Sequence, residues 1–419
     1  MKKSLFALAA TTAFTGAAQA QSSVTVYGIL DMGYVGYNTR VAEGSNGNKA
    51  VNKTTGNAFS SSAESTSRLG FKGAEDLGGG TSAFFTVELG LTPNNNQAVN
   101  TGGTQNRQTF VGLKKQGVGQ FALGTQYTII HQAVSLTDPG NANNISGNLI
   151  YPASTEGAGS TENSTGAAYT VRTNNQLTLS SDTFAGFKAN AMLVANNKNA
   201  NETITVNPAP GTTTVTTGGI NNQSGWGLGL NYAWNALYAT VNYQAFTSKQ
   251  SAQTTTTATG DITPAAGFPT TGYAGGSSNP GTNVQDNQWY LAATYDFGIV
   301  KGYAQYINRK VSALQDRSFY SSRSAEQIGV RGFVAPMVEA WLSGGLGRYT
   351  GFGSNAANLT AWQIGSNYWL SKRTNLYVIY GQAATSDAAY PATYKGSTAN
   401  VNPVAANISN YGVGLRHTF

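Results

Sequence analysis

Apolar and polar side chains alternate one by one along much of this chain. Between 226 and 234, Trp226, Leu228, Leu230, Tyr232 and Trp234 share one face, while Gly227, Gly229, Asn231 and Ala233 share the other. After one short turn, Leu237, Ala239, Val241 and Tyr243 alternate with Tyr238, Thr240, Asn242 and Gln244. Trp289, Leu291, Ala293, Tyr295 and Phe297 repeat the pattern against Gln288, Thr294 and Asp296. Trp362, Ile364, Tyr368 and Leu370 do so against Gln363 and Asn367. A period of two belongs to extended chain whose two faces meet different surroundings. Each run is about ten residues, the length a tilted strand needs to cross hydrocarbon.

A soluble sandwich also alternates, so three further features decide. Trp and Tyr bound the apolar face, as rings do at the two membrane interfaces. The opposite face carries Gly, Asn, Gln, Thr and charges, which suits water rather than a second sheet. Short and long connections also take turns, as in outer-membrane barrels. Tight turns are predicted at 76–80, 116–119, 181–186, 235–236, 297–299, 335–337 and 371–373, and long polar loops at 38–66, 196–224 and 248–286. Strands are predicted near 23–36, 67–75, 81–91, 106–115, 119–126, 172–181, 186–195 and 225–234. They continue near 237–247, 288–297, 299–309, 324–334, 337–348, 360–370, 373–383 and 410–419. The fold class is therefore all-β, a transmembrane antiparallel β-barrel of about sixteen strands, a size that leaves an aqueous lumen. Strands 106–115, 337–348 and 373–383 alternate poorly, and their facing is open.

Composition sharpens this picture. Charged residues make up only 10% of the chain, against about 25% in ordinary soluble domains. With 51 Gly and 22 Tyr, strands and polar loops are favoured over helices. The absence of Cys excludes disulfides and thiolate metal sites. The first twenty residues read as a cleavable secretory signal: Lys2 and Lys3, a small apolar stretch at 5–18, then Ala18-Gln19-Ala20. That stretch is too short to span a bilayer as a helix, and the barrel domain is expected at 21–419. The net charge of +7 is spread over 25 scattered Lys and Arg. Without a block of like charges, this points to a basic interior wall and not to nucleic acid.

Strand phase places the charges, because one on the lipid-facing side costs about 2–4 kcal/mol at the midplane. Arg68 and Lys72 oppose Leu69 and Phe71, so they face the lumen. Asp31, Glu88, Lys301, Arg331 and Arg416 do so by the same test. Arg68, Lys72, Arg107 and Arg172 are the candidate basic wall, and Asp138 is the candidate acid facing them if its loop folds inward, as the resemblance given below implies, a pairing that would set up a transverse field. The plainer reading is that these are ordinary solvated lumen charges, and that Asp138, before Pro139-Gly140, makes an Asx turn. Glu75-Asp76 reads as a solvated periplasmic turn, and Tyr and Trp as interface anchors. Only His131 and His417 could serve a hydrolase. No catalytic, metal or cofactor site is expected, and the chain is not read as an enzyme.

The segments beginning Ser23-Val-Thr-Val-Tyr-Gly, Ser67-Arg-Leu-Gly-Phe-Lys-Gly and Ala83-Phe-Phe-Thr-Val-Glu-Leu-Gly resemble the general porins of β-proteobacteria. Asn106-Arg-Gln-Thr-Phe-Val-Gly-Leu, Leu123-Gly-Thr-Gln-Tyr and Gly412-Val-Gly-Leu-Arg-His-Thr-Phe extend the match in order and spacing. The resemblance implies an outer-membrane homotrimer, exported through the periplasm, for passive passage of ions and small hydrophilic solutes. It implies that a third external loop, at 127–171 here, folds into the lumen. It also implies that terminal Phe419, in phase with Leu415, Val413 and Tyr411, is recognised by the barrel-assembly machinery. Periplasmic chaperones, outer-membrane lipid and lipopolysaccharide are the other expected partners. Two departures bear on the constriction. Thr125 stands where the family commonly has Arg, and the loop lacks the Pro-Glu-Phe-Phe-Gly pattern, offering Asp138, Tyr151-Pro, Glu156 and Glu162 instead. Arg at 125 is expected to strengthen a weak anion preference. A substrate-specific channel and an adhesive or structural barrel are the alternatives.

Overall fold

The computed structural model describes residues 23–45, 48–95, 106–153, 168–205, 215–250, 284–314, 317, 320–351, 356–386, 393–394, 397–398 and 404–419. The expected signal segment 1–20, Glu156 and Glu162 lie outside them.

In chain order the elements are β1 (Ser23–Ser45), β2 (Asn48–Ser61), β3 (Arg68–Gly78), β4 (Thr81–Gly90), β5 (Asn106–Lys115), β6 (Gly119–Tyr127) and α1 (Ile129–Thr137). There follow β7 (Arg172–Ser181), β8 (Phe187–Thr205), β9 (Val215–Trp234), β10 (Leu237–Gln250), β11 (Val284–Asp296) and β12 (Lys301–Ala313). The last are β13 (Tyr320–Ala335), β14 (Val338–Gly351), β15 (Ala357–Ser371), β16 (Thr374–Thr385), a two-residue hairpin β17 (Thr393–Tyr394) and β18 (Ser397–Thr398), and β19 (Val404–Thr418).

Each wall strand from β4 to β16 pairs antiparallel with its sequence neighbours, and β16 pairs with β19. The first strand closes the ring. One edge of β1 pairs with β19, from Ile29 opposite Thr418 to Glu43 opposite Val404. Its other edge pairs with β3 from Ser23 to Ile29 and with β2 from Met32 to Ser45. β2 and β3 thus share one position in the wall, separated by the segment 62–67, and the barrel has sixteen positions. Closure leaves no unpaired sheet edge in lipid, where unmet backbone groups are costly.

The predicted facing holds. Leu228, Leu230, Val241, Leu291, Ile364 and Val413 all present apolar surface outward. The three ambiguous strands also settle. Val111 and Leu113, Leu342 and Leu346, and Leu376 and Val378 point out, while Trp341, Tyr377 and Ile379 point in. On β14 and β16 the inward bulk explains the weak alternation, because both faces of those two strands are apolar where a loop packs inside them. The turn at 78–80 needs three consecutive left-handed residues, and its three glycines have φ of 82°, 59° and 73°.

Two predicted loops are largely strand. β1 and β2 run on as a hairpin to Ser45 and Asn48, and β8 and β9 extend to Thr205 and Val215. Above the membrane both faces of a strand meet water, so the alternation fades while backbone pairing persists. The wall is low between β3 and β7, whose strands have 9–11 residues, and tall at β1, β8 and β9, with 23, 19 and 20.

Candidate functional site: the lumen and its inward loop

The connection between β6 and β7 does not stay outside. The Thr128 amide donates to the Val171 carbonyl at 3.0 Å and its hydroxyl to the Thr170 carbonyl at 2.7 Å, pinching the loop at its base. The same hydroxyl caps α1, accepting from the His131 amide at 3.4 Å. α1 turns Ile130, Ala133 and Val134 onto an inner wall made apolar by Tyr290, Ala292 and Ile307. This burial supplies the apolar term that holds a short helix inside a wet barrel.

Beyond α1 the chain crosses the inner wall, fastened by side chains whose phase predicted contact with water. Gln288 accepts from the Thr170 amide at 2.8 Å, and Gln244 donates to the Thr170 carbonyl at 3.2 Å. Gln327 accepts from the Leu149 amide at 3.0 Å, while Gln363 donates to the carbonyls of Ile145 and Ser146 at 3.1 and 3.2 Å. Arg323 and Arg331 donate to the carbonyls of Leu149 and Pro139 at 2.7 and 2.8 Å. An amide side chain both donates and accepts, so it can satisfy the stranded backbone groups of an irregular loop. The recurrence of inward Gln on β10, β11, β13 and β15 was the signal for this role.

At one point loop and wall touch backbone to backbone. A Cβ on Gly381 would lie 1.7 Å from the Ser146 carbonyl oxygen, which cannot move aside without moving the loop. Gly381→Val is therefore expected to lift the loop locally. Single-channel records should show higher, noisier conductance than wild type, and unchanged steps would count against this seating.

Across the lumen, on the low wall, arginines converge. Glu88 on β4 accepts from Arg107 Nε at 2.8 Å and from the Tyr27 hydroxyl at 3.0 Å, with Arg68 Nη1 at 3.7 Å. Arg107 also bonds the Tyr127 hydroxyl, and the Arg172 guanidinium lies over the Tyr127 ring, 5.6 Å from its centroid. Arg107 is inward through a bulge: Glu88 pairs with Gln108 and Leu89 with Asn106, leaving Arg107 as the extra residue. That bulge is why its strand had no clear phase. Lys72 stands one step aside, its ammonium 5.3 Å from the centroid of Tyr27.

The structure places the other singled-out residues differently from one another. Thr125 pairs with Thr109 in the row of Val111, Leu113 and Leu123, which faces outward, and its hydroxyl meets Asn174 at 2.8 Å. A side chain starting there cannot reach the lumen without reversing the strand, so Arg at 125 is not expected to change ion preference. Asp138 is 1% exposed, its oxygens accepting from the Ala142 amide and Asn148 at 2.7 Å and from Gln327 at 3.2 Å. It ties the loop to itself and to β13. Phe419 faces outward in phase with Leu415, exchanging backbone bonds of 3.1 Å with Gly28. Asp31 is spent on the wall break, accepting from the Glu64 amide at 2.8 Å and from Tyr377 at 2.7 Å. Arg416 answers Glu64 at 3.4 Å, and Arg331 clasps Glu339 at 2.6 and 2.7 Å.

A closed wall of sixteen strands with an apolar outside, a charged inside and its own loop seated in the lumen defines an outer-membrane channel. The chain belongs to the Gram-negative porin family, whose profile matches residues 7–388. It is 28% identical to an outer membrane porin protein of Bordetella pertussis, with all of both chains covered. It is 34% identical over 189 residues to outer membrane porin protein 32 of Delftia acidovorans, covering 45% of this chain and 48% of that one. Its fold matches the anion-selective porin from Comamonas acidovorans with a TM-score of 0.62 at 21% identity, covering 95% and 100% of the two chains. It also matches the trimer form of OmpT from Vibrio cholerae with a TM-score of 0.58 at 15% identity, covering 95% and 99%. The protein is thus a porin of the outer membrane, forming a passive water-filled channel, as the sequence pattern and the resemblance had led us to expect.

Proposed function

We propose that this porin passes ions and small hydrophilic solutes with a weak preference for anions. The observation that carries this reading is the cluster on the low wall, where Arg68 and Arg107 meet the single carboxylate of Glu88 and Arg172 lies over the ring of Tyr127, whose hydroxyl bonds Arg107. Fixed cations at a water-filled constriction with low-dielectric walls concentrate anions and repel cations. The named property of the Comamonas relative points the same way. Lys72 adds a cation on the short-turn side of the cluster. In this reading Asp138 acts indirectly, by holding the loop that narrows the lumen.

The working form is proposed to be a homotrimer joined through the low wall, whose outer face carries Phe71, Val111, Leu113 and Leu123 below the polar patch of Asn106, Thr109, Thr125 and Asn174. The 21–419 barrel is proposed as the mature chain and Phe419 as its assembly signal. Neither histidine supports catalysis. His131 bonds the Tyr169 hydroxyl at 2.9 Å and packs on Tyr127, and His417 stacks on Phe419.

Purified protein in a planar bilayer tests the reading. Ohmic steps closing in three equal sublevels are expected, with a reversal potential of anion-selective sign in a salt gradient. Cation-selective potentials would overturn the preference. Silence from folded protein would favour a plugged or adhesive barrel.

A further inference from the structure

The inner face of β13 carries a charge that the solute pathway does not use. Arg323 is 9% exposed, and its Nη2 donates to the Leu149 carbonyl of the inward loop at 2.7 Å. Its other terminal nitrogen, Nη1, is buried and has no hydrogen-bond partner. Directly opposite on β12 stands Arg309, a like charge in a cross-strand position where such pairs repel. Arg309 holds the carboxylate of Asp286, through Nε at 3.1 Å and Nη2 at 2.6 Å. Gln288 donates to the same carboxylate at 2.9 Å. Asp286 is thus committed to Arg309, and among the described residues no carboxylate forms an ion pair with Arg323.

A guanidinium group does not shed its proton to escape burial, so its charge calls for a counter-ion. A second group on the same strand face marks where that ion sits. Ser321, two residues from Arg323 in the inward row, is 1% exposed, and its hydroxyl also lacks a partner. Buried polar groups are nearly always hydrogen-bonded. A guanidinium N–H and a hydroxyl left over together are the donors of an anion site. The site lies on the long-loop side of Ala325 and Ile307, against which Leu149 and Ile150 of the inward loop pack. It is therefore buried beside the loop and not open to the lumen.

We propose that Arg323 and Ser321 hold a resident chloride ion, which does not cross the pore but completes the seat of the loop at Leu149. A monatomic monoanion balances the one unmatched charge and accepts from both donors. A hydrogen phosphate would bring P–OH protons of its own, and the nearby acceptor, Asp286, is already bonded. A dianion would leave the buried site with an excess of negative charge. With the ion in place Arg323 is fixed at both terminal nitrogens, one on the ion and one on the loop. The site rests on the unmet donors of β13 and not on the ion preference proposed above.

The test is the rate of heat unfolding of protein purified from outer membranes, read at one fixed temperature as loss of the folded band in gels. Chloride is varied from about 1 to about 200 mM, with gluconate holding the ionic strength constant, because an ion bound only by the folded form stabilises it by mass action. Wild type is expected to unfold about fivefold more slowly at the higher chloride, with bromide acting alike. Arg323→Gln and Ser321→Ala should each abolish the difference, whereas Arg68→Gln, in the pore cluster, should keep it. Equal rates in wild type, or a chloride effect that survives both substitutions on β13, would overturn the proposal. So would an effect abolished by Arg68→Gln, which would place the ion in the open pore. Should Arg323→Gln fail to fold, Ser321→Ala decides, together with anomalous diffraction from crystals grown in bromide. A peak in contact with Arg323 Nη1 and Ser321 Oγ is expected there, and peaks confined to the pore cluster would count against the site.

Discussion

Glutamine at positions 68, 107 and 172 together is expected to reverse the sign of the reversal potential in a salt gradient. The wild-type cluster holds two guanidinium groups at the Glu88 carboxylate and a third over the neighbouring Tyr127 ring, and the triple variant leaves the carboxylate alone. A unit charge ~5–8 Å from an ion's path is worth about 2–3 kcal/mol at an effective dielectric of ~20. Salt screens this over about 8–10 Å, so roughly a tenfold change in the anion-to-cation permeability ratio is expected. Glu88→Gln moves the ratio the other way. Lys72→Gln, one step outside the cluster, changes it less than about twofold if its distance from the constriction governs its weight. Arg107→Ala alone is the poorer probe. It leaves Arg68 and Arg172 to keep the cluster cationic, and like the triple variant it strips a buried carboxylate of its nearest cation, a loss of about 3–5 kcal/mol of stability, so the folding of both is checked before their currents are compared. An unchanged sign in the triple variant would mean that the field is set elsewhere in the lumen.

Asp138→Ala is expected to have the largest effect on the loop. Its two oxygens serve the half-buried Ala142 amide, Asn148 and Gln327; without it the buried Asn148 amide loses its acceptor, while Gln327 keeps Gln305. A buried donor without a partner costs about 1–3 kcal/mol, so a loss in that range is expected. The readout is a rise in open-channel conductance with added flicker, together with faster proteolysis of the loop in refolded protein. Steady wild-type conductance would show that the glutamines and the apolar seat of α1 hold the loop by themselves.

Burial raises the Asp138 carboxyl above the usual carboxylate range, against the pull of its donors. A raised folded-state value means that its contribution to stability is complete below the ordinary carboxylate range. That contribution is lost as pH rises through the raised value. Measured against Asp138→Asn in urea titrations, wild type should therefore gain relative stability on acidification. The opposite slope would mean that the donors outweigh desolvation.

The sequence by itself determined the barrel. Alternation from Trp226 to Trp234, tight turns such as 78–80, and aromatic residues at strand ends sufficed for the number of wall positions and the facing of most of them. These signals are local: a strand between lipid and water must sort its side chains residue by residue, whatever its neighbours do. The inward phase of Arg68 and Lys72 was legible for the same reason. What only the tertiary structure decided is the content of the lumen. Gln244, Gln288 and Gln363 read as water-facing, and they do face inward, but a loop more than a hundred residues earlier in the chain for the latter two occupies the space they point into. Arg107 lies on the inner wall as expected, but only because a bulge there brings that side chain in, while the pairing of Thr125 with Thr109 turns that residue away from the constriction expected for it. Period two tells a side chain which side of the wall it is on. Whether water, a loop or another charge waits there depends on groups brought together by closure of the barrel, and the alternation along a single strand does not record them.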